Sequence, residues 1–141
     1  MSVDPRFGER HLQQLMRQEQ QKFEELKLQL QKLLGPAEQL KAQHAENEMV
    51  LKELENTDSL EGRVYKLVGP ALIRQDVDDA VMQVQRRIEF IHGQIQDANA
   101  GIEKVQKEIG ECQGRMMRWQ QLFQAHMQRQ AQRQQQASGK N

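Results

Sequence analysis

Residues 77–123 read VDDAVMQVQRRIEFIHGQIQDANAGIEKVQKEIGECQGRMMRWQQLF. Val77, Val81, Val84, Ile88, Ile91, Ile95, Ala98, Ile102, Val105, Ile109, Cys112, Met116, Trp119 and Phe123 recur there in alternating steps of four and three. A stripe that returns every 3.5 residues is the seam of a supercoiled helix. Gly93, Gly101, Gly110 and Gly114 all lie off that stripe. Asp76 sits where an N-cap belongs, and Asp78 and Asp79 follow in the first turn, where the helix dipole favours negative charge.

A second stripe precedes the first. Leu12, Met16, Glu19, Phe23, Leu26, Leu30, Leu33, Ala37, Leu40, His44, Asn47, Leu51 and Leu54 keep the same alternation. Glu19, His44 and Asn47 are its polar exceptions. Gly35-Pro36 interrupts it, yet the phase carries across, so a kink is expected and not a chain reversal.

Between the stripes lie Val64-Tyr65-Lys66-Leu67-Val68, Gly69-Pro70 and Ala71-Leu72-Ile73-Arg74. Two β-rich runs around a turn dipeptide predict a hairpin. With a symmetric loop Leu67 faces Leu72, and both hairpin faces are mostly apolar. Such a ribbon is marginal alone in water, and its open edges invite other strands. The hairpin residues Val64, Tyr65, Leu67, Val68, Leu72 and Ile73 are therefore candidates for oligomerisation.

The predicted fold class is mostly α, an antiparallel two-helix coiled coil with a central β-hairpin. It is one domain over residues 1–141: helix 1 over 9–56, the hairpin over 63–75, helix 2 over 76–130 and a polar, fraying tail over 131–141. Pairing Leu54 with Val81 places Ala37 against Ala98, Phe23 against Cys112 and Leu12 against Phe123. A stiff rod of this kind is suited to holding or joining, not to turnover.

Composition narrows the function classes. The apolar share is 37% and aromatics are 4%, too little for an ordinary globular core. Mean hydropathy is −0.88. Lys+Arg and Asp+Glu both number 20, which argues against a dedicated nucleic-acid binder. No apolar run reaches the ~20 residues of a membrane span, and no apolar signal region opens the chain. The single Cys112 cannot form an internal disulfide, so the cytosol is the expected compartment. No phosphate loop or Ser/His/Asp arrangement is present, so no catalytic residue and no cofactor are assigned. His11 and His126 fall near the same end, but no Cys or carboxylate cluster completes a metal site.

At the end where the termini meet, Leu15, Met117, Leu122 and Met127 are apolar and off the seam. They accompany Leu12, Met16, Met116, Trp119 and Phe123. Methionine adapts to irregular partners, and exposed apolar patches mark contact sites. Binding surface and extra packing are the two readings of the four off-seam residues. Residues 115–141 carry five basic residues and no acid. They read as a solvated basic tail, with attraction to acidic partners the alternative.

The segment Val64–Gln75, with Glu46-Asn47 upstream, resembles the β-type subunits of prefoldin. Lys66-Leu67-Val68-Gly69-Pro70 followed by Leu72-Ile73-Arg74-Gln75 is most similar to the eukaryotic subunit 6 type. The resemblance covers helix, hairpin and helix, nearly the whole chain. It implies a heterohexamer of two α-type and four β-type subunits, with the hairpins forming a central β-barrel. It also implies ATP-independent capture of unfolded proteins at the coiled-coil tips and their transfer to the cytosolic chaperonin, with actin and tubulin as clients. A structural coiled-coil adaptor or tether with a folded partner is the alternative function.

Overall fold

In a computed structural model the described residues are 8–56, 64–68 and 71–139. Four elements follow in chain order: α1 (Gly8–Glu55), β1 (Val64–Val68), β2 (Ala71–Gln75) and α2 (Val77–Ser138). The helices hold 48 and 62 residues, so the chain is mostly α. Two compact units are distinguishable, one of residues 1–31 with 103–141 (unit 1) and one of residues 32–102 (unit 2).

Burial follows the heptad stripes closely. From Met16 to Glu55, every α1 residue that is not exposed is one of the seam residues named above. All fourteen α2 seam residues from Val77 to Phe123 are buried or half-buried. In unit 1 the best-covered side chains are Leu12, Leu26, Val105 and Cys112; in unit 2 they are Ala37, Ala80 and Ile91. The Leu, Gln, Glu, Lys and Arg filling the outer positions are good helix formers. Packing along the seam then adds what propensity alone cannot supply.

The three polar seam residues each have a partner. Glu19 accepts from Cys112 and Arg115 in unit 1. His44 lies 3.6 Å from Glu48, and its ring centroid is 6.1 Å from that of His92 in unit 2. Asn47 Nδ2 donates to the Gln43 carbonyl at 2.7 Å. A polar seam side chain left unpaired costs more than a paired one stabilises, so these partners make the exceptions tolerable. Pro36 lies inside α1, which continues across it, and the adjacent Ala37 is only 3% exposed.

In unit 2, β1 and β2 pair antiparallel, with Leu67 opposite Leu72, Val68 opposite Ala71 and Val64 opposite Gln75. Gly69 and Pro70, on which the expected hairpin turn falls, are outside the described residues. Asp76 caps α2: its Oδ1 accepts from the Asp78 amide at 2.9 Å.

One boundary differs from expectation. The sequence places the end of the second helix at residue 130 and a fraying tail beyond it, whereas α2 runs to Ser138. Residues 128–138 are all exposed, so packing does not hold them. Their composition of Gln, Arg and Ala does, because these residues favour helix without burial. The polarity that suggests a tail is therefore compatible with an unpacked helix. The Gly139 amide and the Ser138 hydroxyl both donate to the Gln135 carbonyl at its end.

Asp76→Ala is expected to remove the cap and cost about 1 kcal/mol of local stability. Faster hydrogen exchange of the Asp78–Ala80 amides, with exchange in the middle of α2 unchanged, is the measurement that checks it.

Candidate functional site

All nine residues expected at the client-binding end belong to unit 1. Helix α1 supplies Leu12, Leu15 and Met16, and α2 supplies the rest. Leu12 is buried, and Met16, Met116, Trp119 and Phe123 are half-buried seam residues. These five are committed to helix pairing. The four off-seam residues divide. Leu15 and Leu122 are half-buried, whereas Met117 is 62% and Met127 41% exposed.

Helical geometry explains the division. Leu122 falls in a row with Glu108 and Arg115 at seven-residue spacing, and all three are half-covered in unit 1. This row flanks one side of the seam. Met117 follows Met116, and Met127 follows His126, each one residue beyond an inward position. At about 100° per residue they lie on the opposite flank. The off-seam residues thus form two surfaces, of which the methionine flank is the open one. Trp119 Nε1 and His126 Nε2 are covered and have no hydrogen-bond partner among the described residues.

Next to this end lies a polar cluster that the sequence does not announce. Arg115 Nε donates to Glu19 Oε1 at 2.9 Å, and the Cys112 thiol donates to Glu19 Oε2 at 3.3 Å. Cys112 has no exposed surface. The Glu19 carbonyl oxygen, at 3.4 Å, is a second acceptor within reach of the single S–H. Burial first, then the Glu19 carboxylate, pushes the thiol above its ordinary pKa of 9.0. The hydrogen bond to Glu19 likewise raises the pKa of Arg115, whose guanidinium is charged in any case. The available signal was a charged residue at a seam position, with an arginine on the facing helix at matching register.

The six residues expected to mediate oligomerisation lie in the paired strands of unit 2. Val64, Tyr65, Leu67 and Val68 are in β1, and Leu72 and Ile73 in β2. Among the described residues no group of three or more His, Cys, Asp or Glu is placed to hold a metal ion. No helix of the described residues is long and apolar enough to cross a membrane.

Residues 17–125 match the family model described as "Prefoldin subunit". The chain belongs to the prefoldin subunit family. A Caenorhabditis briggsae protein named probable prefoldin subunit 6 is 34% identical over 103 residues, covering 73% of this chain and 80% of that one. Prefoldin subunit 6 of Arabidopsis thaliana is 33% identical over 99 residues, with 67% and 76% covered. The Homo sapiens protein of that name is 27% identical over 113 residues, with 80% and 87% covered. In fold, the chain resembles the crystal structure of the prefoldin beta subunit from Thermococcus strain KS-1. The TM-score is 0.70 at 20% identity, over 72% of this chain and 89% of that one. Prefoldin subunits are non-enzymatic chaperone subunits, and the partners of this one include other prefoldin subunits.

The raised thiol pKa carries a sign. Folding favours the protonated form of Cys112, so its contribution is present below the ordinary 9.0 and fades as pH climbs through the raised value. Glu19→Gln removes the carboxylate and is expected to move the alkylation midpoint of Cys112 to lower pH. Burial keeps it above that of a free thiol. Iodoacetamide rates followed against pH, in wild type and variant, check both statements.

Proposed function

We propose that this chain is one subunit of a heterohexameric, ATP-independent co-chaperone that holds unfolded polypeptides and passes them to the cytosolic chaperonin. The observation that carries the capture half is the exposure of Met117 and Met127 on one flank of α2. Helix pairing has no use for them there. Flexible thioether side chains fit many apolar sequences without demanding one shape. Several such weak contacts, repeated over the subunits of an assembly, hold a client by avidity. Leu15 and Leu122 border the seam on the other flank and form a separate, half-covered apolar strip. Actin and tubulin are the clients that the family resemblance suggests.

Assembly is assigned to the strands. In the sequence, apolar residues occupy both alternating sets of positions along Val64–Val68 and Ala71–Ile73. A two-stranded ribbon of this composition is stabilised by joining strands of neighbouring subunits into a closed barrel. The adaptor or tether reading gives neither the exposed methionines nor these strands a role.

Two outcomes follow. Met117→Ser with Met127→Ser is expected to lower suppression of aggregation of a denatured protein several-fold while the assembled mass is retained; unchanged suppression would place capture elsewhere. Leu67→Asp with Leu72→Asp is expected to abolish the heterohexamer and spare helical content, read by native mass and circular dichroism. Persistence of the full native mass would contradict the barrel.

A further inference from the structure

Helix α2 carries Arg115, Arg118, Arg129 and Arg133 in its last part, and no acidic residue follows Glu111 in the sequence. On a helix of 3.6 residues per turn these four arginines fall within an arc of about 60°. Leu122 lies inside that arc. Arg115 is claimed by Glu19. Arg118, Arg129 and Arg133 are exposed, and no ion pair engages them among the described residues. The exposed stretch 128–138 keeps two of them on helical backbone, at fixed spacing instead of on a wandering tail.

We propose that this arginine stripe is a docking surface for an acidic, extended polypeptide segment. Charge complementarity selects the partner's sign. From Arg118 to Arg133 the stripe spans about 22 Å, the length of roughly seven residues of extended chain. Guanidinium groups pair with side-chain carboxylates through two parallel hydrogen bonds. Gln136 lies at the edge of that arc and Gln132 about 40° outside it, and their amides supply donors and acceptors for a peptide backbone.

Two other polyanions fit less well. Single-stranded nucleic acid uses exposed aromatic rings for stacking, and the aromatics of this stretch, Trp119 and Phe123, are half-buried in the seam. An acidic lipid surface is held by a helix with an apolar face; Leu122, the one apolar side chain inside the arc, is half-buried, and residues 128–138 contain only Gln, Arg, Ala and Ser. The surface is distinct from the methionine flank, and it stands whether or not client capture occurs there.

The test is fluorescence anisotropy on the full chain, with a labelled decapeptide of alternating glutamate and glycine. Saturable binding at low salt is expected, weakening at least tenfold on raising salt from about 50 to about 300 mM as screening shortens. Arg118→Gln/Arg129→Gln/Arg133→Gln is expected to weaken binding about tenfold at unchanged helicity, since Gln is a comparable helix former. A lysine–glycine decapeptide is expected not to bind, and a thymidine oligonucleotide of matched charge to bind more weakly. Absence of binding by the acidic peptide, or equal binding by the triple variant, would overturn the proposal. So would tighter binding of the oligonucleotide, which would make the stripe a nucleic-acid surface.

Discussion

A pair of helices has one contact stripe on each member, and everything else in this molecule follows from how narrow that stripe is. Two positions in seven are enough to hold the helices together. The rest of each circumference faces outward, so it must be polar or have another partner. The burial pattern follows this closely: along most of α1 only the seam is covered, and α2 adds one flanking row that includes Arg115 and Leu122, with Ala125 half-buried near its end. An apolar side chain off those rows is therefore a side chain with no structural task in the helix pair.

That constraint decides how much was legible. Periodicity alone locates both helices and nearly every covered residue, because a heptad repeat is a direct image of the contact surface. The strand positions are legible from β-branched and aromatic residues around Gly69-Pro70. The length of α2 is not, because a run of Gln and Arg has the same polarity as a loose tail and differs only in propensity. The Glu19 cluster is not legible from spacing either. Periodicity marks Glu19 as a defect, and only the facing positions of Cys112 and Arg115 turn it into a partnered site. Of the candidate contact residues, the sequence places all nine together but cannot separate Leu15 and Leu122 from Met117 and Met127. Coverage by the facing helix depends on rotation about the seam, which a list of positions does not contain. The same uncertainty hides the outward Met49, Met82 and Phe90 of unit 2.

The two outward chemistries of unit 1 differ in kind. Methionine offers adaptable apolar contact with no sequence requirement. Arginine on an exposed helix offers charge-selective contact, which is salt-sensitive and directional. If both proposed surfaces operate, apolar contact would hold an unfolded chain while the charged stripe would orient or select among chains. Neither surface disturbs the seam, so affinity and selectivity are adjustable without loss of the helical scaffold.

Polypeptide contact is proposed to belong to exposed side chains with no place in helix pairing at the end of unit 1. The seven methionines provide their own probes. Methyl spectra of the methyl-labelled chain in its assembled complex, titrated with an unfolded client, test it most directly. The Met117 and Met127 resonances are expected to shift or broaden. Met49 and Met82, which are 65% and 50% exposed in unit 2, stay in place. Perturbation of Met49 and Met82 with Met117 and Met127 unmoved would contradict it.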